Sequence, residues 1–94
     1  MKETFYILLS TDGVQSVEKA EGDYDKKNGI YYDKTNGGWR ATDKYSGRAL
    51  TLGRSTKKEC QEAVASLMEK FSEIRTQEKY LQGYINFMEL IGDK

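Results

Sequence analysis

Between Gly29 and Gly53 the chain reads as three short β segments separated by turn residues, and a helix start follows at once. Ile30 to Lys34, Trp39 to Lys44 and Arg48 to Leu52 carry strand formers. Thr35-Asn36-Gly37-Gly38 and Tyr45-Ser46-Gly47 supply the glycines and small polar residues that tight antiparallel connections require. A sheet of this kind is stable only when one face is covered, and the amphipathic segment after Gly53 is the natural cover. The pattern predicts an α+β domain: an antiparallel sheet of three to five strands against one long or broken C-terminal amphipathic helix.

The 94 residues suit a single domain over 1–94, with an N-terminal hairpin in 1–20, the three-stranded sheet in 29–53 and a helical region in 57–91. Thr4 to Ser10 forms the first strand, Thr11-Asp12-Gly13 the turn, and Val14 to Lys19 the return. Glu21 to Asn28 is polar and reads as a loop, within which Gly22 to Tyr24 is able to extend a strand. Side chains two apart share a face of a strand. Leu50 and Leu52 are therefore assigned to the helix side with Trp39, Ala41, Ile30 and Tyr32. Tyr31, Asp33, Arg40, Thr42, Lys44 and Thr51 are assigned to an open face.

Thr56 and Glu59 form a capping-box pattern that starts the helix near Lys57. Apolar residues then recur at Cys60, Val64, Leu67, Phe71, Ile74, Leu81, Ile85 and Met88, with Glu78 as the exception. An unbroken helix over 57–91 would be about 52 Å long at roughly 1.5 Å per residue, too long for so small a sheet. Three arrangements resolve this: a fold-back near Thr76, an overhang buried in a twofold partner, or fraying after Glu78. Glu78 and Gly83 favour two helices or a strongly bent one. Leu67 is expected to be core, so that Leu67→Asp unfolds the domain.

The residue inventory argues against catalysis. With no histidine and one cysteine, Cys60, the chain lacks the usual general base, the usual zinc ligands and any internal disulfide. Asp23 to Gly29 misses the calcium-loop spacing at Lys27 and Asn28, and no phosphate-binding glycine motif occurs. A non-catalytic protein is expected, with no metal or cofactor. The longest apolar run, Phe5 to Leu9, is too short to span a membrane, and a reducing cytoplasm suits the lone cysteine. The formal net charge is zero, but it divides into −2 over residues 1–28, +5 over 29–58 and −3 over 59–94.

From Gly29 to Phe71, the positions Gly29, Gly38-Trp39-Arg40-Ala41, Leu52-Gly53, Thr56, Glu59 and Ala63 resemble the AP2 type of DNA-binding domain and the related arm-binding domains of tyrosine integrases. The resemblance implies three strands entering the major groove with the helix behind them. It implies DNA contacts from Tyr31, Arg40, Thr42, Lys44, Arg48 and Thr51. Lys57 and Lys58 near the helix start would add backbone contacts.

Two functions are therefore expected from the sequence. One is a DNA-binding accessory protein of a phage or mobile element, reading DNA with the open sheet face. On that reading Arg40→Glu with Lys44→Glu abolishes binding and spares the fold. The other is a protein-interaction module, such as a small mobile-element inhibitor of a host enzyme of the anti-CRISPR kind. It would act through its acidic or apolar helical surface, with Tyr80, Tyr84, Phe87, Met88 and Ile91 meeting a protein partner or the twin helix of a homodimer.

Overall fold

In the computed structural model, which describes residues 2–92, Asp12 and Gly13 both adopt left-handed backbone, with φ of 52° and 79°. Such a pair matches the right-handed twist of flanking strands, and it joins β1 (Lys2–Thr11) to β2 (Val14–Asp25). The chain continues through β3 (Ile30–Thr35), β4 (Gly38–Asp43) and β5 (Ala49–Arg54), each antiparallel to its neighbour, in the order β1-β2-β3-β4-β5. The segment expected to be a loop is therefore strand as far as Asp25. Asp23, Tyr24 and Asp25 pair with Tyr32, Tyr31 and Ile30.

Two helices follow, α1 (Lys57–Ile74) and α2 (Glu78–Gly92). Thr56 caps α1 by accepting from the Glu59 amide at 3.1 Å. Helix α1 lies across β3, β4 and β5, where Cys60 and Val64 close over Ile30, Tyr32 and Ala41, with Trp39, Leu50 and Met68 at the margin. Burial of these side chains contributes on the order of 1.5–3 kcal/mol each for the larger ones.

Strand β5 departs from simple alternation. Thr42 pairs with Ala49, Ala41 with Thr51 and Trp39 with Arg54, so β5 carries one extra residue in each interval. Each bulge moves the following side chains to the other face. Thr51 consequently shares the helix side with Ala41 and is buried, whereas Leu52 is turned outward and 65% exposed. The assignments of Thr51 to an open face and Leu52 to the core are both corrected by these bulges.

The face opposite α1 is not open. At Gly22 the β2 backbone passes so close to β3 that a Cβ there would lie 2.3 Å from the Tyr32 carbonyl oxygen. The N-terminal hairpin rolls over the sheet from this point. Phe5 stacks on Tyr31 with ring centroids 4.5 Å apart and planes 5° from parallel, and Tyr24 stacks on the same ring at 4.6 Å. The Leu8 amide donates to the Gly47 carbonyl at 2.9 Å, tying β1 to the β4–β5 turn. Phe5, Ile7 and Tyr31 form a second buried cluster there.

The helical region breaks where Thr76 was expected to break it. The Thr76 and Gln77 amides donate to Glu73 and Ile74 carbonyls, a tightened last turn that redirects the chain. Because α2 starts in a new direction, the apolar repeat of α1 does not continue as its buried side. Phe87 is buried and Tyr80 half-buried, while Leu81, Ile85 and Met88, in phase with the α1 stripe, face outward. Leu67 is likewise 42% exposed, so Leu67→Asp is now expected to fold, with a change within about 1 kcal/mol. Val64→Asp, at a site 1% exposed, is expected to unfold the domain by burying an unpaired carboxylate. Circular dichroism of the two variants checks the contrast.

Candidate interaction surfaces

Asp43, at the end of β4, lies on the helix side by alternation from Ala41 and is wholly buried. Its carboxylate accepts from the Ser46 amide at 3.0 Å and the Ser46 hydroxyl at 2.6 Å. Arg75, in the turn between the helices, donates to it at 2.8 Å, and the Tyr80 hydroxyl of α2 donates to its other oxygen. The Arg75 guanidinium also lies over the rings of Tyr45 and Phe71, 5.2 and 4.9 Å from their centroids. One carboxylate thus fixes the β4–β5 turn, the inter-helix turn and the start of α2. This hub sets which side of α2 faces solvent.

Burial, and then the hydrogen bond to Asp43 and its charge, push the Tyr80 hydroxyl well above the ordinary tyrosine range. Burial pushes Tyr32 up to about 12. A tyrosine whose folded pKa is raised contributes stability that is present below its unfolded pKa of about 10 and is lost as pH rises beyond it. Urea titrations are expected to show constant tyrosine contributions at neutral pH and falling stability above about pH 10. Tyr80→Phe should be less stable at neutral pH and should lose less on the alkaline side.

With the Tyr80 and Phe87 side docked, α2 presents Leu81, Tyr84, Ile85 and Met88 to solvent, 48, 38, 47 and 38% exposed. Their spacing of three, one and three residues makes one continuous helical face. Tyr84 is steadied by Tyr45, whose ring centroid is 6.3 Å away. On the other flank of α2, a groove of about 300 Å³ runs between β5 and α1. It continues past Tyr80 toward Gly83 as a second hollow of about 210 Å³.

The residues expected to contact DNA are dispersed. Tyr31 is sandwiched between Phe5 and Tyr24, Thr42 is fully buried, and Thr51 lies on the α1 side. Arg40 makes a two-pronged bond to Asp33, itself 8% exposed. Arg40→Glu is therefore expected to set two carboxylates together and destabilise the fold, contrary to the tolerance expected from the sequence. Lys57 donates to Asp23 at 2.8 Å, and its ammonium holds that carboxyl below its ordinary range. Lys44 is exposed, its Nζ 4.9 Å from the Tyr24 ring centroid, and Arg48 and Lys58 are also exposed. Lys44 and Arg48 lie in the β4–β5 turn and Lys58 in the first turn of α1, while the sheet members of the set, Tyr31, Thr42 and Thr51, are buried.

Of the residues expected to meet a partner, Tyr84 and Met88 lie on the exposed face of α2. Tyr80 is engaged by Asp43, Phe87 is buried against Gly47, and Ile91 is half-buried beside them. Tyr80 and Phe87 are thus part of the fold rather than of an interface. Leu81 and Ile85 complete the exposed face. Both are members of the apolar stripe in the sequence, but the stripe alone does not say which side of α2 the turn at 75–77 buries. Cys60 is wholly buried, and its thiol is pushed up by burial, so it presents no nucleophile. Among the described residues no helix is long and apolar enough to cross a membrane. No family model, curated protein or solved structure matches this chain.

Proposed function

We propose that the protein is a small non-catalytic binding module whose partner is another protein, engaged through the outer face of α2. The observation that carries this reading is the continuous exposed set Leu81, Tyr84, Ile85 and Met88, which flanks the side of α2 anchored by Tyr80 and Phe87. Clustered apolar side chains on a rigid element mark contact surfaces, and a helix laid into an apolar groove is a common mode of protein recognition. A partner offering such a groove would bury these four side chains together. Inhibition of a host enzyme by a mobile element is one role of this type, and a reducing cytoplasm suits the buried thiol.

A role in DNA binding through the sheet is less well supported. Reading the major groove requires side chains that reach base edges, and Tyr31, Thr42 and Thr51 are buried while Arg40 is held by Asp33. A titration with a mixed-sequence DNA duplex at low and moderate salt separates the readings. The expected result is no shift in mobility and no change in Trp39 fluorescence at either salt. Binding that falls steeply with salt and is lost in Lys44→Glu would overturn the protein-binding reading in favour of the sheet.

A further inference from the structure

The groove on the inner flank of α2 is a separate surface from the outer face, and its chemistry is more specific. Its floor is apolar, formed by Leu50, Leu67, Phe71 and Ile74 between edge strand β5 and helix α1. Its rim is cationic. Arg48 borders both hollows, Lys70 stands at one end and Lys79 at the other, and all three are exposed. Among the described residues no carboxylate lines either hollow. Among the described residues the ion pairs are Arg40 with Asp33, Lys57 with Asp23 and Arg75 with Asp43, and none uses these rim cations. Three like charges over an apolar trough, in a chain of zero formal net charge, form a local field of one sign.

We infer that this groove binds an acidic polypeptide segment, with one or two large apolar side chains seated on the floor and carboxylates meeting Arg48, Lys70 and Lys79. The volumes of about 300 and 210 Å³ each suit one such anchor. Cations distributed along the trough match charges spaced along a chain rather than a single headgroup. Arg48 offers a planar fork for a carboxylate, and the two lysines act as point charges. Ser46 and Tyr80 of the Asp43 hub form part of the groove's wall, but the side chains of Arg48, Lys70 and Lys79 make none of the hub's bonds, so the rim is open to substitution without loss of the fold. This proposal stands whether or not the outer face of α2 has a partner.

The test uses a short fluorescein-labelled peptide, Glu-Asp-Phe-Glu-Asp-Leu, titrated into the full protein, with anisotropy reading affinity and amide chemical shifts reading location. Saturable binding with shifts centred on Arg48, Leu50, Leu67 and Phe71 is expected. Replacing the peptide's Phe and Leu by Ser should weaken it roughly tenfold or more, through loss of apolar burial. Arg48→Glu with Lys70→Glu should weaken it by a similar factor or more, while circular dichroism stays unchanged. The inference is overturned if no amide moves, if the serine peptide binds equally well, or if the shifts fall on Leu81 and Ile85 instead. It is also overturned if a DNA duplex moves the same amides with steeper salt dependence than the peptide, since the trough would then be a polyanion patch. Shifts at Leu81 and Ile85 would leave the outer-face reading intact and remove only this one.

Discussion

Asp43→Ala is expected to destabilise the protein by about 3–5 kcal/mol, the usual cost of removing one partner from a buried, hydrogen-bonded charge pair. The loss is large because four donors converge on one carboxylate. The Ser46 amide and hydroxyl, the Arg75 guanidinium and the Tyr80 hydroxyl would all be left in a region that water does not reach freely. Arg75 is the most costly of these, since it would retain its charge without its counterion. A domain of this length has a total stability of roughly 5–14 kcal/mol, so the variant sits near or below the folding threshold. Tyr80→Phe removes a single bond to a charged group and should cost about 1.5–3 kcal/mol. Urea denaturation followed by Trp39 fluorescence orders the two. Equal stability of Asp43→Ala and the parent protein would refute the hub.

Gly47→Ala should cost about 2–4 kcal/mol by combining backbone strain with overpacking. Gly47 has a φ of 71°, and a Cβ there would fall 2.3 Å from Cε1 of Phe87. Phe87 is 1% exposed and has little room to turn aside, so the added methyl pushes α2 away from the β4–β5 turn. Gly13→Ala provides the control. Its φ is 79°, but none of the described residues lies within 4 Å of the added atom, so it should show the strain alone, about 1 kcal/mol. Parallel thermal melts of the two variants separate conformation from collision. Similar melting temperatures would mean that Phe87 is not seated on Gly47.

The elements were legible where local chemistry specifies them. Asp12-Gly13, Asn36-Gly37 and the Thr56 cap each marked a boundary that the backbone observes, and helix length together with Glu78 and Gly83 pointed to the break near Thr76. The sheet faces were less legible. Alternation from Ala41 places Asp43 on the helix side, but an isolated aspartate reads as surface until Arg75 and Tyr80, far along the chain, are known to meet it. The bulges in β5 have no turn residue to announce them before Gly53, so Leu52 and Thr51 exchanged sides unseen. The covering of Tyr31 by Phe5 depends on the close crossing at Gly22, a long-range event that glycine permits but does not specify. For α2, a constant apolar period concealed two faces. The turn at 75–77 makes Phe87 the buried residue and leaves Ile85 outside.

The most direct test of the functional reading places a photo-crosslinking amino acid at position 85, on the outer face of α2, and separately at position 44, beside the Tyr24 ring, in the full protein within its native host cell. After irradiation, the position 85 probe should yield a discrete adduct with one protein, lost when Leu81→Lys is added, and the position 44 probe should yield none. A nucleic-acid adduct from position 44, with position 85 unreactive, would contradict the account and return the function to the sheet.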